Sequence, residues 1–256
     1  MTLRNPVYSL YERHLLRQLH GRQVPRHVGV MLDGNRRWAR EAGFEDVNHG
    51  HRRGAAKIDH LLRWCADAGI DVVTLWLLST DNLTSRPDSE LGPLLAIIED
   101  TVSGLAAQGK PWRVRIVGAL DLLPTNTAHT LKTAEERSRD RTGLTVNIAV
   151  GYGGRQEIAD AVRSLLQDQA GRGRSLEELA EILDVDHIAD HLYTAGQPDP
   201  DLLIRTSGEQ RLSGFLLWQS AHSEIYFCDT YWPGFRRVDF LRALRDYAQR
   251  HRRYGS

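Results

Sequence analysis

At 256 residues the chain can bury one substantial core, and α/β domains of this length are usually single. Its 33 Lys and Arg residues balance 33 Asp and Glu, which excludes the global positive field of a nucleic-acid binder. No secretory leader and no apolar run of about eighteen residues occurs, and Cys65 and Cys228 form no metal-ligand pattern, so a reduced cytoplasmic protein is expected.

In chain order, Val7, Leu10, Tyr11, Leu15 and Leu19 recur at helical spacing and predict an amphipathic helix within residues 1–23. Such a face usually packs on its own domain; covering a greasy cavity or a peripheral membrane contact are the other uses open to it. From residue 24 to 256 strands and helices alternate as one domain without an internal repeat. Predicted strands are Val28–Leu32, Val72–Leu78, Val114–Val117, Leu144–Val150, Leu202–Arg205 and Ile225–Phe227. Predicted helices include Gly54–Ala68, Leu91–Ala107, Thr125–Arg139, Arg155–Gln169 and Val238–Arg252. Nearly continuous apolar strands between amphipathic helices predict an α/β fold with a mostly parallel central sheet of about six strands, covered by helices. Ligands of such sheets bind beyond the carboxyl ends of the strands. Asp33, Ser79, Gly151 and Arg205 each follow a predicted strand and are expected to converge there.

Two segments carry the chemistry. In His27-Val28-Gly29-Val30-Met31-Leu32-Asp33-Gly34-Asn35-Arg36-Arg37-Trp38 an apolar strand ends on a lone carboxylate, followed by a Gly-Asn turn, two arginines and an indole. Gly34 and Asn35 suit a turn with positive φ, and Arg36, Arg37 and the next helix's amides make an anion seat. An acid beside such a seat suggests a divalent cation bridging carboxylate and phosphate; a surface turn with solvated arginines is the plainer alternative. Trp38 is either a core residue or an apolar wall for a substrate. Residues 201–215 repeat the plan: a strand ends at Arg205, and Arg211 and Ser213 follow around Gly208 and Gly214. Guanidinium forks, a hydroxyl and flexible amides suit a diphosphate. Of the 33 basic residues only Lys57, Lys110 and Lys132 are lysines, a skew that phosphate binding or genomic base composition would equally produce.

Weaker patterns compete. Gly151-Tyr152-Gly153-Gly154 follows a strand as a dinucleotide loop would, but the position six along is Gln156 rather than a small residue. His49, His51 and His60 fit no zinc spacing, and hydrogen-bonded histidines are the simpler reading.

Taken together these segments resemble the cis-prenyltransferase family, undecaprenyl diphosphate synthase and its short-chain relatives. The Asp-Gly-Asn-x-Arg-Trp motif matches at Asp33 to Trp38, and Ser-x-x-Asn at Ser79 to Asn82, followed by Arg86-Pro87. The Asn-Tyr-Gly-Gly-Arg element appears as Gly151-Tyr152-Gly153-Gly154-Arg155, and Ile204 to Gln219 carries the long Ile-Arg-Thr-x-Gly-Glu-x-Arg-x-Ser-x-Phe-Leu-Leu-Trp-Gln signature.

The resemblance implies condensation of isopentenyl diphosphate with an allylic diphosphate, with Mg²⁺ as cofactor. Asp33 would be catalytic and hold the metal, with Glu224 as a second carboxylate near it. Asn35, Arg36 and Arg37 would seat the allylic diphosphate, Arg205, Arg211 and Ser213 would hold the isopentenyl diphosphate, and Gly34, Trp38 and His51 would also be substrate-binding. Ser79, Asn82 and Arg86 would lie between the seats, with Asn82 counted as catalytic. An apolar tunnel is expected between the Val72–Leu78 strand and the helix carrying Leu91, Leu94, Leu95, Ile98 and Val102. Leu77, where long-chain members carry a small residue, makes the chain look like the short-chain Z,E-farnesyl diphosphate synthases, which extend geranyl diphosphate once. The plainer role for Leu77 is packing in the sheet. A homodimer is implied, its tail residues Arg253 and Gly255 reaching the neighbouring active site.

The chain also departs from the family. Glu45-Asp46-Val47-Asn48 stands where many members carry a phosphate-binding arginine, for which Arg36 could substitute. Leu83 replaces a common tryptophan, Gln210 a histidine and Ser207 a glycine. A long-chain decaprenyl or undecaprenyl diphosphate synthase, a non-catalytic subunit and a simple lipid- or nucleotide-binding module are the alternatives.

Overall fold

The apolar runs assemble into one six-stranded sheet, every neighbouring pair parallel, in the order β3-β4-β2-β1-β5-β6. The strands are β1 (His27–Met31), β2 (Val72–Ser79), β3 (Arg113–Val117), β4 (Thr145–Tyr152), β5 (Leu202–Arg205) and β6 (Glu224–Phe227). This computed structural model describes residues 6–250. Helices α1 (Pro6–Leu19), α2 (Asn35–Glu41), α3 (Asn48–Asp67), α4 (Thr80–Ser85) and α5 (Asp88–Leu105) belong to the first half of the chain. Helices α6 (Thr125–Ser138), α7 (Gly154–Gly171), α8 (Leu176–Ile182), α9 (Val185–Ala189) and α10 (Arg237–Gln249) complete it. The predicted strands are all present. Helix α3 begins six residues before its predicted start because Asn48 to Arg53 are polar and leave no apolar period to read. Among the described residues no helix is long and apolar enough to cross a membrane.

The two sheet faces are buried differently. On one side Val28, Val30, Val73, Leu75, Val146 and Ile148 share a large core with Leu61, Leu62, Leu94, Ile98, Leu131 and Phe240 from the helices. On the other, Met31, Ala149, Tyr152 and Leu203 pack beneath Phe215 and Leu216. All five residues of β1 are buried, as a central parallel strand requires. Helix α1 lays Leu15 on Val238 and Leu241 of α10, while Leu10 and Leu16 stay exposed on its outer side.

Strand order sets the crevice. After β1 the chain moves to β2 on one side, and after β5 it moves to β6 on the other, so β1 and β5 flank the topological switch point where such sheets bind ligands. A bulge sharpens one wall: Trp76 pairs with Ala149 and Leu78 with Val150, leaving Leu77 without a partner on β4. Bulges re-aim side chains near active sites, and Leu77 is turned towards the cleft described below.

At the opposite edge, His27 is buried between strands. Its Nδ1 donates to the Pro198 carbonyl at 2.7 Å, and its Nε2 lies 2.7 Å from Thr74 Oγ1, which also accepts from Asn147 Nδ2. Burial pushes the His27 pKa down to about 4, so the folded protein keeps this ring neutral while the unfolded chain protonates it near pH 6.5. The unfolded state therefore binds more protons between these values, and stability must fall as pH drops through them. Melting temperature is expected to decline between pH 6.5 and 4, with His27 contributing on the order of 2–3 kcal/mol. The decline should flatten in a His27→Gln variant measured by thermal denaturation across that range.

Candidate active site

Two residues beyond β1, Asp33 stands at the carboxyl edge of the sheet. Its amide donates to Thr206 Oγ1 at 3.0 Å, and Thr206 Oγ1 in turn donates to the Met31 and Asp33 carbonyls, tying the ends of β1 and β5 together. Gly34 adopts φ +98°, and a Cβ there would lie 2.6 Å from the Tyr231 ring, so only glycine fits the turn into α2. The Gly34 amide donates to Asp33 Oδ1 at 2.6 Å.

Across the switch point Arg205, level with Met31 in the sheet, reaches back to Asp33. Its Nη2 donates to Asp33 Oδ2 at 3.0 Å and its Nη1 to Ser213 Oγ at 3.0 Å and to the Arg211 carbonyl. Arg37 Nη2 lies 3.6 Å from Asp33 Oδ1 and donates to Ser207 Oγ at 2.8 Å, while its Nη1 donates to Glu209 Oε1 at 3.1 Å. Ser207 pays for this position with φ 85°, a left-handed backbone that a side chain rarely adopts. Burial works to raise the pKa of Asp33, but hydrogen bonds from Arg205, Ser207 and Gly34 outweigh it and hold the carboxyl below its ordinary value. Asp33 is thus an anion at neutral pH, half-exposed to the cleft.

The other wall comes from β2 and the elements after it. Ser79 caps α4, its hydroxyl accepting from the Asn82 amide at 3.1 Å, which presents both side chains to the same space. Arg86, just past α4, lies 3.4 Å from His51 Nε2 through its Nη1. Burial, and then the charge of Arg86, push the His51 pKa down to about 4, so its ring is neutral. Asp33, Gly34, Asn35, Arg36 and Arg37 thus face His51, Leu77, Ser79, Asn82 and Arg86, with Arg205, Arg211 and Ser213, around one cleft of ≈ 600 Å³. Buried Arg86 Nε and Arg205 Nε find no acceptor among the described residues, an arrangement that an anion's oxygens would complete.

Two expected site residues lie elsewhere. Trp38 turns away from the cleft and stacks with Phe44 and His49, at ring separations of 6.1 and 6.5 Å. It is a packing residue of the α2–α3 corner. Glu224 opens β6, level with Leu202 at the amino end of β5, and pairs with Arg250 at 2.6 Å. The described chain therefore does not bring it to Asp33, because Glu224 begins its strand whereas Asp33 follows one. Arg253 and Gly255 lie outside the described residues.

The cleft also holds residues that the sequence reading missed: Arg40, Asp81 and Glu209. Arg40 follows Arg36 by one helical turn on α2, so the period of that helix was the available signal. With Arg36 and Arg37 it makes α2 the source of three arginines that line the cleft. The Gly153-Gly154 turn is a brace rather than a nucleotide loop. The Gly154 amide donates to the Gly214 carbonyl at 3.0 Å, and a Cβ on Gly154 would sit 2.4 Å from that oxygen.

Beyond Leu77 the cleft meets a small apolar cavity of ≈ 40 Å³ between β2 and α5, walled by Ile58, Leu94, Ile98 and Trp232. Leu32, Asn35, His51 and Leu77 line both spaces.

An acid among guanidinium groups at a parallel sheet's switch point, opening onto an apolar recess, defines a site for a phosphorylated, greasy substrate. Residues 31–255 match the family model described as putative undecaprenyl diphosphate synthase. The chain is 64% identical over 253 residues to a (2Z,6E)-farnesyl diphosphate synthase of Thermobifida fusca, covering 99% of this chain and 98% of that protein. It is 56% identical over 255 residues to a short-chain Z-isoprenyl diphosphate synthase of Mycobacterium leprae, covering 99% and 97%. Among solved structures it resembles lavandulyl diphosphate synthase from Lavandula x intermedia in complex with dimethylallyl diphosphate. That match has a TM-score of 0.83 at 33% identity and covers 91% of this chain and 99% of that one. The chain belongs to the undecaprenyl diphosphate synthase family and is a cis-prenyltransferase.

Proposed function

We propose that the chain joins one isopentenyl diphosphate to geranyl diphosphate, giving Z,E-farnesyl diphosphate and inorganic diphosphate in the cytoplasm. The observation that carries this reading is the pairing of a large basic cleft with a very small apolar recess, Leu77 standing where the two meet. The names of the similar farnesyl and short-chain synthases support it.

The reaction must bring two diphosphates together. A pair of unit charges about 5 Å apart costs roughly 3 kcal/mol at an effective dielectric of 20, and several such pairs arise. Arg36, Arg37 and Arg40 on α2 seat the allylic diphosphate as it leaves with the bonding electrons of its carbon–oxygen bond. Arg205, Arg211 and Ser213 hold isopentenyl diphosphate so that its terminal alkene carbon faces the carbon being vacated. Ser79 and Asn82 orient the carbon that, after the new bond forms, gives its proton to an oxygen of the departed diphosphate, and Arg86 lies between the two phosphate seats. Mg²⁺ fits the donor set: among the described residues no cluster of three His, Cys, Asp or Glu could hold a metal alone, but ionised Asp33 opens to the phosphate seat. Such an ion is commonly held by one or two carboxylates together with substrate phosphates. When bound, it neutralises charge developing on the departing diphosphate.

Asp33→Ala is expected to cut kcat by at least about a hundredfold while the fold and allylic binding persist, because electrostatic stabilisation acts mainly on the transition state. Near-normal turnover by the folded variant would refute the assignment.

Removing Arg205 or Arg211 should raise KM for isopentenyl diphosphate by about tenfold or more, since each loses a charge-assisted contact of roughly 1.5–3 kcal/mol. Steady-state kinetics with each substrate varied in turn would expose reversed seats if only the allylic KM moved.

The chain is further assigned to a homodimer whose Arg253 and Gly255 complete the neighbouring site. Deleting residues 252–256 should abolish most activity without dissociating the dimer, read by product assay beside sedimentation.

Leu77→Ala is expected to shift products beyond fifteen carbons, since each further isoprene buries five carbons worth about 4 kcal/mol once space exists. Mass analysis decides; decaprenyl or undecaprenyl product from the unmodified enzyme would favour the long-chain alternative.

A further inference from the structure

The first turn of α5 carries Glu90, a carboxylate with no part in the proposed reaction. Its side chain is only 12% exposed, yet three other segments converge on it. Arg86 Nη1, from the linker after α4, donates to Glu90 Oε1. His51 Nε2, from α3, lies 3.7 Å from the same oxygen, and Arg36 Nη1, from α2, lies 3.7 Å from Oε2. Arg36, His51 and Arg86 line the cleft, and Glu90 touches all three.

The charges around it are unequal. His51 is neutral, so two guanidinium groups share one carboxylate. Arg86 gives Glu90 one nitrogen and leaves Nε without an acceptor. A diphosphate offers more charge and more oxygens than Glu90 and competes for the same guanidinium groups.

We propose that Glu90 is a positioning residue that holds Arg86 and Arg36 in the empty cleft and yields them to substrate phosphate. Its carboxylate orients Arg86 before binding and then opposes the anion that takes its place. Diphosphate binding is thereby weakened, and the inorganic diphosphate formed in each turnover is more readily released. This rests on the reading of the cleft as a diphosphate seat.

Two substitutions separate the parts of the role. Glu90→Gln keeps an oxygen for Arg86 and removes the charge; Glu90→Ala removes both. Inorganic diphosphate binding to the full chain, measured by titration calorimetry without metal, is expected to be about fivefold tighter in Glu90→Gln than in the unmodified protein. The gain should shrink with added salt. The kcat/KM for the allylic substrate should be lower in Glu90→Ala than in Glu90→Gln, where Arg86 keeps its acceptor. Unchanged or weaker diphosphate affinity in folded Glu90→Gln overturns the proposal, as does equal kcat/KM in the two variants. Failure of both variants to fold makes Glu90 a structural anchor and overturns it too. If the unmodified protein binds no diphosphate, the seat itself is misread and this inference falls with it.

Discussion

Arg205 brings a positive charge into a place where its side chain is only 5% exposed, and the carboxylate of Asp33 makes that burial tolerable. Without Asp33 the buried guanidinium would keep only neutral acceptors, Ser213 Oγ and the Arg211 carbonyl, and its burial would cost more. The union of Arg205 and Asp33 across β1 and β5 also fixes the relation between two loops, because Arg205 simultaneously holds Ser213 and the Arg211 carbonyl. The acid and the two arginine groups therefore keep one geometry before any ligand arrives. Preorganised charge of this kind costs no rearrangement when a reaction develops charge of its own.

That geometry depends on strand direction more than on sequence proximity. Asp33 follows a parallel strand, as Ser79 and Arg205 end theirs, and all emerge on the same edge. The same rule was available for Glu224, which begins β6 and so lies at the opposite edge. Motif matching placed it by company; topology places it by direction. Trp38 illustrates a related gap, because a residue's place in a motif says nothing about which way a short helix turns its ring.

The sheet was legible because buried parallel strands are apolar nearly without interruption. Helices with polar beginnings were not, and α3 and α5 both start earlier than their apolar spacing suggests. The short α8 was readable in principle, since Ser175 and Glu178 form a capping box at its start. The bulge at Leu77 was not, because register depends on both strands at once and a single chain segment carries no trace of it. Glu90 stayed hidden for a comparable reason: Pro87 separates it from Arg86, and its partners come from α2 and α3.

Ser207 has a consequence for how this protein can change. Its backbone sits in a region that suits glycine, and its hydroxyl accepts from Arg37, so one residue carries both a local strain and a contact in the phosphate seat. A drift to glycine would relax the chain and loosen the arginine in the same step. Thermal robustness and ligand grip are thus opposed at this position, and a lineage selected for heat resistance would have to re-anchor Arg37 by another route.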